Sequence, residues 1–276
     1  MSNTVNLTSS MSSILYALKN TTNQMDSTNS KLSTGLKVQS ALDDPIAYFA
    51  AEDHTNEANS LSLLNDNMNE AIQTINAADE GIETMKDLLD DAKALCNSAL
   101  SSDDTSEVTS YMTQFTDILE QIDELADDAE YAGVNLLGGT TESLEVVFDE
   151  AGDSSITLTG IDASSEGLSL TTGGAWVSGT TISTANINDA IDALTTAKST
   201  LRANSKTLST QLSTITARQE FTEGKIEILE TGASDLVNAD LNEESANLLA
   251  LQTQQSLGTN SLSIASSSMQ SVLNLF

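Results

Sequence analysis

Few side chains in this sequence have the types or the company that chemistry requires. Cys96 and His54 are the single thiol and the single imidazole in 276 residues. A lone thiol cannot close an intramolecular disulfide, and neither group has neighbours at metal-ligand spacing. Cys96 falls on a helical apolar seam, where a small apolar side chain is wanted, so it reads as core rather than as a nucleophile. His54 could titrate in a pH-dependent switch, but alone at the start of a helical run it reads as incidental. The acidic doublets Asp43-Asp44, Asp90-Asp91, Asp103-Asp104 and Asp127-Asp128 lack the alternating oxygen-ligand spacing of a calcium loop and read as caps and solvated faces. Gly138-Gly139 is followed by no Lys and no helix start, which makes it a turn rather than a phosphate cradle. Trp176, in GGAWVSG, reads as packing over a hairpin, with a ligand or a neighbouring chain as the alternative. No nucleophile–base pair, metal cluster or phosphate loop is visible, so an enzyme is the least supported class, and no cofactor or metal is expected.

The elements that carry these residues are long and helical. Aromatics make up 4% of the chain and proline occurs once, which favours long helices packed by small aliphatic side chains over a compact α/β enzyme. With 41 acidic and 10 basic side chains the formal net charge is −31, which argues against nucleic acid and anionic membranes as partners. The N-terminus, MSNTVNLTSSMSSILYALKN, has no basic n-region and no continuous apolar h-region, so a secretory signal peptide is not expected. No stretch offers the ~20 mainly apolar residues that a bilayer span needs.

The strongest periodicity starts at Leu61 and continues through Leu64, Met68, Ala71, Ile75, Ala78, Ile82, Met85, Leu89, Ala92, Cys96 and Ala99, in alternating steps of three and four. That is a heptad seam. After the acidic break SSDDTSE, which reads as a cap, a second seam uses Val108, Tyr111, Phe115, Ile118, Ile122, Leu125 and Ala129. A third uses Ile187, Ile191, Leu194, Leu201, Leu208, Leu212, Ile215, Ile226, Leu229 and Leu236, interrupted by Lys198, Ser205, Gln219 and Thr222. Between the second and third, short alternating runs (SLEVVF, SITLTG, LSLTTGG) predict a small β-hairpin or meander, then a Gly/Ser/Thr-rich linker into a helix near Ser183.

Both ends show weaker stripes: Leu7, Met11, Ile14, Leu18, Met25 and Leu32 at the front, and Leu248, Leu251, Leu262, Ala265, Met269, Val272 and Phe276 at the back. Ser, Thr and Asn between them lower helix stability by a few tenths of a kcal/mol each, so neither end is expected to be a stable helix alone. A partner that buries the stripe returns ~1.5 to 3 kcal/mol for each well-buried Leu, Ile or Met, and the natural partner of one uncharged end is the other. No charged side chain lies between Met1 and Leu18, and none follows Glu244. Copies whose ends crowd around an axis would need this, because like charges repeated in a dry core are costly. The expected fold class is therefore mainly α: a long antiparallel helical coiled coil or bundle with a small β-hairpin region, its terminal helices forming a coiled coil in a polymer.

Three stretches resemble bacterial flagellin. KLSTGLKVQSALDDPIAYFA (Lys31 to Ala50) is similar to that family's turn between its terminal helix and first long helix. YAGVNLLGG (Tyr131 to Gly139) resembles the segment that ends the second helix. ADLNEESANLLALQTQQSLGTNSLSIA (Ala239 to Ala265) is the most specific match. The resemblance covers roughly residues 1 to 139 and 186 to 276, and Pro45 fits the first turn of the long helix, with Asp43 or Asp44 as N-cap.

The resemblance implies a structural subunit that polymerises into the extracellular flagellar filament for swimming, exported without a cleaved signal peptide by a type III apparatus. It implies residues 1–40 and 237–276 as the two halves of a filament-core (D0-like) domain. Residues 41–139 and 186–236 would be the long helices of an inner-shell (D1-like) domain, with 140–185 a hairpin and short linker in place of large outer domains. Leu7, Met11, Ile14, Leu18, Met25, Leu32, Leu248, Leu251, Leu262, Met269, Val272 and Phe276 would be the subunit and axial packing residues. Leu61, Leu64, Met68, Ile75, Ile82, Met85, Leu89, Phe115, Ile122, Leu194, Leu201 and Leu208 would form the inner-shell seam. Implied partners are copies of the chain itself, an export chaperone, and hook-junction and cap proteins. A hook–filament junction protein of the same family is the alternative, and a secreted coiled-coil adhesin or effector is a reading from a different class. Where detected flagellins carry an Arg-containing stretch read by an innate immune receptor, this chain has LDDAKAL: Leu89, Asp91, Lys93 and Leu95 mark a degenerate version, which implies weak activation. The Ser/Thr-rich middle leaves O-glycosylation open.

Overall fold

The computed structural model describes residues 9–273. In chain order the elements are α1 (Ser9–Thr34), α2 (Pro45–Ser101), α3 (Thr105–Asp128), β1 (Glu130–Tyr131), β2 (Val134–Asn135), β3 (Ser143–Val147), β4 (Ser155–Thr159), β5 (Val177–Ser178), β6 (Thr181–Ile182), α4 (Thr184–Val237) and α5 (Leu241–Leu273). The fold is mainly helical with antiparallel two-stranded ribbons, as the periodicity predicts. The chain divides into two compact units, Met1–Asn56 with Ile228–Phe276, and Glu57–Glu227.

In the unit that holds both termini, α1 and α5 pack against each other. Asp240 starts α5 as its N-cap, its carboxylate accepting from the Asn242 and Glu243 amides, and Glu243 and Glu244 place negative charge on the first turn. The segment after α1 is strapped to the segment before α5. The amides of Lys37 and Val38 both donate to the Val237 carbonyl (2.7 and 3.3 Å), and the Ala239 amide donates to the Gly35 carbonyl (2.8 Å). The next turn is fixed by Asp43, whose Oδ2 accepts from the amides of Gln39 and Ser40 and from the Ser40 hydroxyl. Asp44 caps α2 by accepting from the Ile46 and Ala47 amides, with Pro45 in the first helical position where no amide is missed. The two aspartates, interchangeable cap candidates in the sequence, thus hold different parts of the turn.

The Glu57–Glu227 unit is built on α2, α3 and α4. Its core runs continuously from Met68 on α2 to Ile215 on α4. Asp104 caps α3 by accepting from the Ser106 amide (2.8 Å), and Glu107 in the first turn accepts from the Ser102 hydroxyl. On α3 the buried stripe is Val108, Phe115, Leu119, Ile122 and Ala126, wider than the heptad reading because the helix also faces the β ribbons. α3 is closed by Asn135: its side-chain amide donates to the carbonyls of Ala126 and Asp127, and its Oδ1 accepts from the Leu137 and Gly138 amides. The β1–β2 loop, Ala132-Gly133, has both φ values positive (50° and 84°), the backbone of a type I′ hairpin.

β3 and β4 pair from Ser143↔Thr159 to Val147↔Ser155, with Val146 and Leu158 turned inward. LSLTTGG forms no strand. Its backbone makes a helical turn, Leu168 amide to Ser164 carbonyl and Leu170 amide to Ser165 carbonyl, and that turn buries both leucines. The period-two spacing was a property of the turn, not of a pleat. Trp176 is fully buried against Phe115 of α3 (ring centroids 5.1 Å apart), and its indole N–H donates to the Thr172 carbonyl. Burial leaves it unavailable to a ligand or a neighbouring chain.

Candidate assembly surfaces

The α1–α5 pair is a heptad seam on both sides. On α1 the least exposed positions are Met11, Ile14, Leu18, Thr21, Met25, Thr28 and Leu32, and on α5 they are Glu244, Leu248, Leu251, Gln255, Gly258, Leu262, Ala265 and Met269. Both runs alternate steps of four and three, and two contacts fix their antiparallel register. Lys31 Nζ donates to Glu244 Oε1 at 3.0 Å, and a Cβ built on Gly258 would meet Leu18 Cγ at 3.1 Å. In that register Ile14 lies opposite Leu262, Thr21 opposite Gln255, and Thr28 opposite Leu248. Five seam positions, Thr21, Thr28, Glu244, Gln255 and Gly258, escaped the sequence reading because they are small or polar. Thr21 is tolerated because its hydroxyl donates back to the Ala17 carbonyl at 3.0 Å. At Gly258 the missing Cβ leaves room for the Leu18 side chain, whose branch carbons would lie 3.1 to 3.7 Å from it. Leu7 and Phe276 lie outside the described residues, as does the side chain of Val272.

Away from the seam the same pair carries few charges (Lys19 and Asp26 on α1, Glu243 on α5) and is partly apolar. Leu15 and Tyr16 on α1, and Leu249, Leu257 and Ile264 on α5, are exposed large apolar side chains. The α5 residues recur at eight and seven, so they form a second stripe along one face. Sequence reading assigned α5 one stripe. It carries two.

In the Glu57–Glu227 unit the seam residues are interior. Leu61, Met68, Ile75, Ile82, Met85, Leu89, Phe115, Ile122, Leu194, Leu201 and Leu208 are buried, and Leu64 is half-buried against the same core. The polar interruptions of the third seam form an antiparallel ladder to α2. Lys198 pairs with Asp90, the Ser205 hydroxyl donates to Asp79 (2.6 Å), and the Gln219 amide donates to Asn69 (2.7 Å). Lys225 pairs with Glu57 at 2.7 Å. Each interruption is a cross-helix partner that sets register, while Thr222 is simply buried. The Lys198 hydrogen bond holds the Asp90 carboxyl below its ordinary value against the opposing effect of partial burial. Asp90 is therefore a paired group, not the free solvated acid that its doublet suggested.

In the LDDAKAL stretch Leu89 is buried and Leu95 half-buried, Asp91 is exposed, and the Lys93 ammonium donates to the Thr195 hydroxyl at 3.3 Å. Cys96 is buried on the seam, and burial pushes its thiol up to about 12. Among the described residues no group of three or more His, Cys, Asp or Glu is placed to hold a metal, and no helix is long and apolar enough to cross a membrane.

An antiparallel pair of terminal helices with few charges and a second apolar stripe left open, beside a unit whose helices are held in register by cross-helix polar pairs, is the arrangement of a self-assembling structural protein. Residues 3–142 match the bacterial flagellin N-terminal helical region and residues 184–276 the C-terminal helical region. Flagellin FljO of Caulobacter vibrioides is 31% identical over 280 residues, covering 99% of this chain and 98% of that one. A flagellin of Brucella melitensis is 32% identical over 276 residues, covering 97% of each. The crystal structure of Bacillus cereus flagellin is similar over 56% of this chain and 88% of that chain, with 19% identity and a TM-score of 0.47. The chain belongs to the bacterial flagellin family. It is a structural subunit, not an enzyme, and polymerises with copies of itself into the extracellular flagellar filament.

Proposed function

We propose that α1 and α5 form the core of the filament (residues 1–40 with 237–276) and that the long helices (41–139 and 186–236) form the shell around it, with 140–185 as a short outer segment. The observation that carries this reading is the second stripe of α5: Leu249, Leu257 and Ile264 stand exposed on a helix without charge after Glu244. An apolar row of this kind is covered when identical pairs pack side by side around an axis. Met11, Ile14, Leu18, Met25, Leu32, Leu248, Leu251, Leu262 and Met269 then close each pair, and the outer stripe joins neighbouring pairs. Replacing Leu249, Leu257 and Ile264 together by Ser leaves the α1–α5 seam intact. On this reading it abolishes pelletable filaments, and normal sedimentation of the triple variant would refute it.

Partners beyond copies of itself follow the same exposed surfaces. An export chaperone, the hook-junction proteins and the cap each have to cover uncharged apolar helix at an end of the polymer or before assembly. The receptor-facing stretch is expected to act weakly, because Asp91 presents an exposed carboxylate where the detected pattern has a guanidinium, and Lys93 is engaged with Thr195. Receptor-reporter cells exposed to the purified subunit should respond far less than to an enteric flagellin, and equal potency would overturn this.

A further inference from the structure

Acids outnumber bases about four to one over the whole chain, yet one groove of the Glu57–Glu227 unit reverses that balance. It is a hollow of about 430 Å³ between α2 and α4, lined by Lys93, Lys198 and Arg202, by the side chains of Thr195 and Ser199, and by Asp90 as its one acid. Asp90 does not neutralise it. Its carboxyl is taken by the hydrogen bond from Lys198, and the charges of Lys93 and Arg202 act on it only through space. Lys93 reaches the neutral Thr195 hydroxyl, and Arg202 stands exposed with no hydrogen-bond or ion-pair partner among the described residues. Two cations are thus left unneutralised on an otherwise anionic surface.

The complementary charge lies on α3. Asp117, Glu120, Glu124 and Asp127 follow one another at steps of three, four and three, all exposed, on a helix that contains no Lys or Arg. Glu124 accepts from the Gln121 side-chain amide at 2.7 Å, and none of the four carboxylates forms an ion pair among the described residues. At 100° per residue this ridge is centred roughly 140° round α3 from the buried stripe of Val108, Phe115 and Ile122, so it points away from its own core. α2 and α3 are joined by a short turn and meet again where a Cβ on Gly81 would lie 3.2 Å from the Ala129 Cβ, so they run antiparallel. Counting back from that contact puts Glu120 about level with Asp90. Ridge and groove therefore stand at the same height on different faces.

We propose that the α3 ridge of one copy docks in the α2–α4 groove of its neighbour, with Lys93 and Arg202 meeting the carboxylates of Asp117, Glu120, Glu124 and Asp127. The occupant is a second copy because charge selects it: an acidic neighbour is repelled by the rest of this surface and attracted here, and the chain itself carries an unpaired acidic row at the matching height. Because groove and ridge lie on different faces, the contact is heterologous and passes from copy to copy instead of closing as a dimer. The inference rests on self-assembly but not on the axial packing of α1 and α5.

The test is charge exchange in the full chain. Glu120→Lys/Glu124→Lys lowers the net negative charge, so assembly would improve if charge acted only through general repulsion between subunits. The docked ridge requires the reverse: a critical concentration raised about tenfold, as two or three exposed pairs turn from attractive to repulsive. That penalty should shrink as added salt screens it. Lys93→Glu/Arg202→Glu should give a similar rise, and combining all four substitutions should bring the critical concentration back to within about threefold of the unsubstituted chain. Thermal unfolding of each subunit checks that these helix-compatible changes leave it folded. A ridge variant that assembles as well as the unsubstituted chain, a penalty that salt leaves unchanged, or a combined variant that does not recover would overturn the contact. If the groove variant does not fold, the ridge variant and its salt dependence decide alone. Polymerisation of the unsubstituted chain in the same sedimentation assay tests self-assembly, and the Ser variant of the α5 stripe tests the axial reading separately.

Discussion

Leu262→Asp is the most demanding perturbation of the terminal pair. Leu262 is half-buried in the α1–α5 seam opposite Ile14, one layer from the close approach of Gly258 to Leu18. Removing a half-buried leucine forfeits ~1 kcal/mol, about half of the full-burial value. A carboxylate left short of water adds ~2 kcal/mol, since no cation lies in the facing part of α1 before Lys19 to offset it. A total of ~3 kcal/mol per subunit corresponds to a rise of about a hundredfold in the critical concentration, because each 1.4 kcal/mol is a factor of ten. The assay is sedimentation of filaments across a concentration series, with circular dichroism of the unassembled chain as the control. The Glu57–Glu227 core contains no part of this seam, so its thermal transition should hold. A critical concentration within about threefold of the unsubstituted chain would refute the reasoning.

Two further predictions concern the long helices. Asp90 is held below its ordinary value of 3.8, first by its hydrogen bond from Lys198, so the pair contributes stability above about pH 4 and loses it as pH falls through the depressed value. The melting-temperature gap between the unsubstituted chain and Lys198→Met should be open at pH 6 and close on acidification. A gap that persists to pH 2 would mean that the lysine acts through its aliphatic stem alone. Cys96, buried with its thiol pushed up to about 12, should resist maleimide at pH 8 in the folded chain and react fully in denaturant. Rapid labelling of the folded chain, followed by mass spectrometry, would show that the seam opens.

What was legible in the sequence was whatever large apolar side chains repeat at three and four. Leu61 to Ala99 could be read residue by residue because few polar groups interrupt it. The α4 seam was only half legible, since Lys198, Ser205 and Gln219 look like defects until Asp90, Asp79 and Asn69 are seen opposite them. On α1 and α5 the pattern hides where Thr21, Thr28, Gln255 and Gly258 occupy seam positions, because hydropathy does not distinguish a small or back-bonded polar group from a solvated one. Tertiary partners were invisible altogether. Nothing local in YAGVNLLGG says that Asn135 will close α3, and nothing in GGAWVSG says that Trp176 will meet Phe115. The exposure of Ile46 and Phe49 at the start of α2 was also missed, since a spacing of three matches that of a buried face and only the structure shows it in water.

The account turns on whether the sparsely charged terminal pair is where subunits meet. A helical reconstruction of filaments grown from the purified chain tests this directly. The prediction is that Leu249, Leu257 and Ile264 of each α5 are buried against the terminal helices of neighbouring subunits around the filament axis. Filaments in which those three side chains face solvent, with α1 and α5 making no contact between subunits, would contradict it.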